Sequence, residues 1–295
     1  MTCEHDTGFA PAADSVRLHT AIAIWPKLWG ANGYLRTAGY IFVVGHMRSY
    51  SSLLSHVLGS HPRIAGYAEM HQKYRSWPDL LELCSKVERS CDKSCAHRQV
   101  LDKILHPQVI GPSILRRKDL SVIAIAREPL ATLASILSMQ AGGIDRLEGA
   151  VQYYLERLAA LVRLAEMRRG NVFYLDGEAV VERTGEALSS ITDYLELAPN
   201  LRSDYSTFRF TGTPKYGDPS EWIKSGRVVA HRGKLPEVKL SRSQAEQIWD
   251  AYKRMRLYMK RNADVTLFRE SAYRAGDRES ATSLQVISHS ASYEG

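Results

Sequence analysis

The chain has 295 residues, of which 44% are apolar, 24% charged and 9% aromatic, proportions that exclude a largely disordered or collagen-like protein. Lys and Arg outnumber Asp and Glu by 39 to 32, and no apolar run approaches the ~18–20 residues that span a bilayer, so no stable membrane insertion is expected. The surplus is local: between Arg227 and Arg261 ten Lys/Arg stand against three Asp/Glu, which suits either an anionic partner or a solvated helix face.

In chain order, residues 1–39 show little periodicity and are expected to form an irregular arm. Its apolar stretch Ala21 to Trp25 is cut by Pro26 and lacks the basic flank of a signal peptide, so the expected compartment is the cytoplasm. Tyr40 to Val44 reads as a buried parallel strand. Ser51 to Leu58 has helical apolar spacing, with Gly59 as its expected C-terminal stop. Val122 to Ala126 reads as a second buried strand, and Pro129 as the first residue of the next helix. A helix over Leu147–Arg168, a strand over Val172–Leu175 and a helix over Glu178–Leu197 follow. The last helix starts at Ser241 or Ser243, each in capping-box spacing with Gln244 or Glu246.

Residues 269–295 are expected to be a disordered tail, leaving one α/β domain over 40–268. Alternating strands and helices predict a three-layer parallel sheet with helices on both faces. Cys84, Cys91 and Cys95 stand near His97, but the spacing is looser than that of zinc sites, and free thiols are expected.

In such sheets ligands sit at the carboxyl ends of strands. The first strand runs through Gly45-His46-Met47-Arg48-Ser49-Tyr50-Ser51-Ser52 into a helix. The amides of that helix start are an anion site, to which Arg48 adds charge and the serines add hydroxyls; Ser51 or Ser52 is also a candidate helix cap. A Walker A loop has Gly and Lys where this chain has Tyr50 and Ser51. At the end of the second strand Arg127 stands where a magnesium-holding Asp would be. A cradle without triphosphate lysine or metal carboxylate suits a nucleotide with separated single phosphates.

Arg48-Ser49-Tyr50-Ser51-Ser52, with His61-Pro62 after the helix, resembles the 5′-phosphosulfate loop of sulfotransferases that use 3′-phosphoadenosine 5′-phosphosulfate (PAPS). Tyr50 departs from that family's glycine. Arg127-Glu128-Pro129, with Ser135 eight residues after the arginine, is similar to its 3′-phosphate motif. The two pieces lie in order, ~80 residues apart. The resemblance implies a P-loop-like sulfotransferase fold over roughly Tyr40 to Arg261, PAPS as co-substrate and no metal.

It further implies that Arg48 serves the leaving 5′-phosphate, and that Arg127 and Ser135 hold the 3′-phosphate. His231-Arg232-Gly233-Lys234 resembles a late loop closing over that same phosphate, so Arg232, Gly233 and Lys234 join the cofactor-binding set. For the base, Glu69 resembles the glutamate after His-Pro in carbohydrate-type members. His106 stands near the histidine of small-molecule members. A positioned carboxylate or imidazole serves either way. His46 and His71 are expected to be solvated or packing residues. Lys103 resembles a lysine that neutralises the transferring group, or is a surface lysine.

The acceptor is expected to be a hydroxyl of a carbohydrate, glycolipid or small molecule, bound by loops over 66–100, 138–150 and 205–225. Tyr67, Tyr74, Trp77, Tyr216 and Trp222 are candidate stacking or core aromatics. No nucleic-acid partner is expected. The rivals are a nucleotide or sugar kinase with a degenerate P-loop, and a non-catalytic nucleotide- or nucleic-acid-binding protein.

Overall fold

In the computed structural model, residues 37–91, 93–140, 143–168, 170–214, 216–229 and 235–269 are described. Most of the expected arm and tail, together with Arg232, Gly233 and Lys234, lies outside the described residues. The strands are β1 (Gly39–Gly45), β2 (Ile64–Ala65), β3 (Gln99–Ile104), β4 (Leu120–Ala126), β5 (Val172–Asp176) and β6 (Val265–Leu267). The helices are α1 (Ser51–Ser60), α2 (Trp77–Cys91), α3 (Pro112–Leu115), α4 (Pro129–Ser138), α5 (Leu147–Arg168), α6 (Ala179–Glu182), α7 (Thr184–Tyr194) and α8 (Arg242–Asn262).

All strand pairs are parallel, in the order β2-β3-β1-β4-β5-β6. Alternation along each strand sorts side chains to two faces. Phe42, Val44, Val122 and Tyr174 share one core with residues of α2, α4, α5 and α8. Ile41, Val43, Ile123 and Phe173 share the other with α1, α6 and α7. The fold is therefore the three-layer α/β sheet expected, with its P-loop-like strand–loop–helix at the central strand. Among the described residues no helix is long and apolar enough to cross a membrane.

Several boundaries differ from expectation. Helix α1 runs through Gly59 to Ser60, and His61 is the cap. Gly59 is there for space, since a Cβ would lie 2.5 Å from the Gly66 carbonyl oxygen. The expected helix over 178–197 breaks at Arg183 into α6 and α7. Of the two candidate starts of α8, Ser241 is the cap, exchanging both capping-box bonds with Gln244. The expected loop over 66–100 contains helix α2 and opens β3. Arg269, first residue of the expected tail, donates its amide to Asp176 Oδ2 at 2.8 Å.

Strand β3 hides from an apolar search because Asp102 and Lys103 occupy its middle, both buried. Asp102 accepts from the amides of Met70 (2.9 Å) and Lys103 (2.8 Å) and from the Tyr74 hydroxyl. Burial still pushes its carboxyl up to about 7.

Gly45 ends β1 beside Ile125 of β4, where a Cβ would stand 2.4 Å from the Ile125 carbonyl oxygen. Gly45→Ala is expected to lower unfolding free energy by ~1–3 kcal/mol through overpacking against backbone. Urea titration measures this, and an unchanged midpoint contradicts the contact.

Candidate active site

The loop after β1 makes its turn with two left-handed residues, Arg48 (φ 65°) and Tyr50 (φ 66°). Tyr50 adopts the conformation that glycine takes freely, at a cost of ~1–2 kcal/mol for a residue with a Cβ. Its ring lies 4.7 Å from the Arg127 guanidinium, a cation–π contact that offsets part of that cost. Tyr50 is also the N-cap of α1 and gives no side-chain cap. Neither Ser51 nor Ser52 therefore caps the helix, and among the described residues its first amides have no side-chain cap.

Strands β1 and β4 are neighbours, so the two loops singled out by sequence meet. Arg48 Nε donates to Ser135 Oγ at 2.8 Å, and Arg127 Nη1 donates to the Arg48 carbonyl at 3.3 Å. Arg127 Nε is buried without a hydrogen-bond partner among the described residues, 3.8 Å from Glu178. Arg48, Tyr50, Ser51, Ser52, Arg127 and Ser135 all line one cavity of about 1000 Å³. Ser49 does not. Its buried hydroxyl donates to the His46 carbonyl at 2.7 Å.

His46 is no solvated residue. Its fully buried ring donates from Nδ1 to the Met47 carbonyl (2.8 Å) and accepts at Nε2 from the Arg127 amide (2.9 Å). The carbonyl only accepts and the amide only donates, so the neutral tautomer is fixed. Burial lowers its pKa to about 4. Helix α5 adds a second tie that no motif indicated. Tyr153 donates to the Leu105 carbonyl (2.8 Å) and accepts from the Met47 amide (2.6 Å), and Tyr154 donates to the Arg127 carbonyl (2.8 Å). Buried Arg157 donates to the carbonyls of Gly45, His106 and Ile104 at 2.8, 2.7 and 3.2 Å.

Glu69 and His106 also line this cavity, their side chains 3.9 Å apart. Glu69 is buried and accepts from the Leu105 amide (3.2 Å) and Gln108 Nε2 (3.1 Å). His106 is partly exposed, and burial lowers its pKa although the Glu69 charge raises it. His71, which is exposed, also lies at the cavity, 3.8 Å from Glu69.

Lys103 is not a surface lysine, being 1% exposed. Its Nζ donates to Ser52 Oγ at 3.0 Å from behind the cradle. Burial lowers its pKa against the opposing pull of Glu69, Asp102 and Asp218. Asp218 was not legible as a site residue. It pairs with Arg48 Nη1 at 2.9 Å, and its amide donates to Ser52 Oγ at 3.1 Å. Burial raises its carboxyl, but Arg48 and Ser220 more than offset this and hold it below the usual range. An anion already sits on Arg48, supplied by the chain itself.

Of the candidate aromatics, Tyr67 and Tyr74 are core, Trp77 is exposed, and Tyr216 stacks on Phe210 with centroids 4.2 Å apart. Trp222 lines the cavity with an exposed ring. Arg232, Gly233 and Lys234 are outside the described residues, but their described neighbours Val229 and Leu235 both line it. Cys84, Cys91 and Cys95 are buried free thiols.

In the unfolded chain the His46 imidazole protonates near 6.5, in the fold at about 4. The unfolded state therefore takes the proton first as pH falls. Stability complete above about 6.5 is lost progressively down to about 4. Urea unfolding at pH 7 and 4.5 is expected to show wild type losing ~2–3 kcal/mol more than His46→Gln. Equal losses contradict the buried bridge.

No protein-family model and no curated protein matches the sequence. Among solved structures, the chain is similar to the sulfotransferase domain of the Synechococcus PCC 7002 olefin synthase. The TM-score is 0.49 and the identity 14%, over 72% of this chain and 94% of that domain.

Proposed function

We propose that the protein is a sulfotransferase that moves the sulfuryl group of PAPS to a hydroxyl of a carbohydrate, glycolipid or small-molecule acceptor and releases 3′,5′-ADP. One observation carries this reading. Arg48 and Arg127, from the ends of neighbouring strands, line a single cavity together with Ser135, whose hydroxyl accepts from Arg48 Nε. Two guanidiniums lining one cavity suit a nucleotide with one phosphate group at each end of its ribose. The Arg127 side chain lines that cavity and is the cation we assign to the 3′-phosphate. The cytoplasmic placement belongs to the same proposal and is supported by three free thiols.

The acceptor oxygen attacks sulfur, the bond from sulfur to the bridging 5′-phosphate oxygen breaks, and the hydroxyl proton passes to Glu69. The electron pair left on the 5′-phosphate is stabilised by Arg48 and the N-terminal amides of α1. Asp218 neutralises Arg48 until that phosphate replaces it. Lys103 adds positive charge through Ser52 rather than by direct contact. His106, facing Glu69, is the alternative base. As in phosphoryl transfer, positioning and charge neutralisation supply most of the rate.

The direct experiment is transfer of labelled sulfate from PAPS to a panel of polysaccharides, glycolipids and phenols. Labelled product supports the reading, and magnesium-dependent ATP turnover without it points to a kinase. Thermal unfolding is expected to shift upward more with 3′,5′-ADP than with ADP or AMP, and Arg127→Ala to lose that preference. Equal shifts in wild type remove the 3′-phosphate assignment. Glu69→Gln is expected to lower kcat by ~10²–10⁴ with 3′,5′-ADP affinity retained. A fully active Glu69→Gln transfers the role to His106.

A further inference from the structure

Three groups lining the cavity have a second chemistry. Glu69 and His71 follow β2, and His106 follows β3. The β2–β3 pairing brings these segments together. One ligating atom from each lies within 4.8 Å of the other two. Glu69 Oε1 is 3.8 Å from His71 Nδ1, and Glu69 Oε2 is 3.9 Å from His106 Nε2. The two imidazoles face each other at a 29° tilt, 5.7 Å between centroids. We propose that Glu69, His71 and His106 hold a divalent transition-metal ion of the zinc class.

Geometry is close to what such an ion requires. With bonds of ~2.0–2.2 Å, ligand atoms at tetrahedral angles stand ~3.3–3.6 Å apart, so the two carboxylate–imidazole pairs need to close by about 0.5 Å, and the three atoms together, which lie within 4.8 Å of one another, by up to about 1.5 Å. Two imidazoles and one carboxylate select zinc-class ions over magnesium or calcium, which take oxygen ligands.

The ligands are also held in advance. Glu69 Oε1 is fixed by the Leu105 amide and by Gln108 Nε2. The backbone of His106 is fixed at its carbonyl by Arg157 and at its amide by Gln108 Oε1 (3.1 Å). Hydrogen bonds of this kind orient ligands and raise affinity. All three residues line the cavity, so three protein ligands leave a fourth position facing the space where an acceptor would lie.

The consequence for catalysis rests on the sulfotransferase reading, whereas the binding itself does not. A Glu69 carboxylate bound to the ion no longer accepts the acceptor's proton, so zinc inhibits transfer.

The test uses the full chain stripped of metal by a chelator, then dialysed against Zn²⁺ or Co²⁺, with bound metal counted and the Co²⁺ visible spectrum recorded. One ion per chain is expected, with affinity reduced at least ~10-fold in His71→Ala and in His106→Ala and unchanged in Cys84→Ser. Unchanged 3′,5′-ADP binding by His71→Ala shows that the variant is folded. Zn²⁺ is expected to slow transfer by wild type and leave His71→Ala unaffected. No bound ion, or an ion retained by both histidine variants, overturns the metal site. Transfer from PAPS that persists undiminished in the zinc-loaded wild type overturns the inhibition. An ion bound as described in a protein that never transfers sulfate overturns the sulfotransferase reading and leaves the metal site standing.

Discussion

Three neighbouring parallel strands, β3, β1 and β4, end with backbone groups inside the protein, and those groups need hydrogen-bond partners that the sheet no longer supplies. Helix α5 supplies them. Arg157 takes the carbonyls of Ile104, Gly45 and His106, and Tyr153 bridges Leu105 to Met47. Tyr154 holds the Arg127 carbonyl, and the His46 ring joins the Met47 carbonyl to the Arg127 amide. Each side chain serves two purposes, satisfying a buried group and fixing one loop against another. Removing one would orphan its partners in a dry interior, where each costs ~1–3 kcal/mol. The placement of Arg48 beside Arg127 follows from this clamp.

The electrostatics of the cavity follow from the same arrangement. Arg48 and Arg127 line it, and buried Lys103 and Arg157 lie behind it. Burial in a low-dielectric interior makes this positive charge effective over distance. Asp218 compensates Arg48 directly. Glu69 lines the same cavity with two histidines. Cations and a carboxylate flanked by imidazoles around one cavity suit a reaction in which negative charge develops on one group while a proton leaves another. They also suit competition between a proton and a metal ion for Glu69.

What was legible in the sequence is what local chemistry writes locally. The buried strands β1, β4 and β5 are apolar runs, α5 is a continuous helical stripe, and Ser241 with Gln244 is a capping box. Arg48, Arg127 and Ser135 were legible as a pair of strand-to-helix loops, and the structure brings them together. Strand β3 was not legible, because Asp102 and Lys103 interrupt its apolar pattern and depend on partners from elsewhere, such as Met70, Tyr74 and Ser52. Asp218 reaches Arg48 across 170 residues of chain, and Arg157 reaches Gly45 across 112. Neither carries a local signal. His46 illustrates the limit most plainly: a histidine in a loop reads equally as solvated or packing until the neighbouring strand is known to bury it.

The central claim is that one nucleotide spans the ends of β1 and β4. A crystal structure with 3′,5′-ADP tests it most directly. The account requires the 3′-phosphate within hydrogen-bond reach of Arg127 and Ser135, and the 5′-phosphate at the start of α1 with Asp218 displaced from Arg48. A nucleotide bound elsewhere, or one touching Arg48 while Arg127 keeps its present partners, contradicts it.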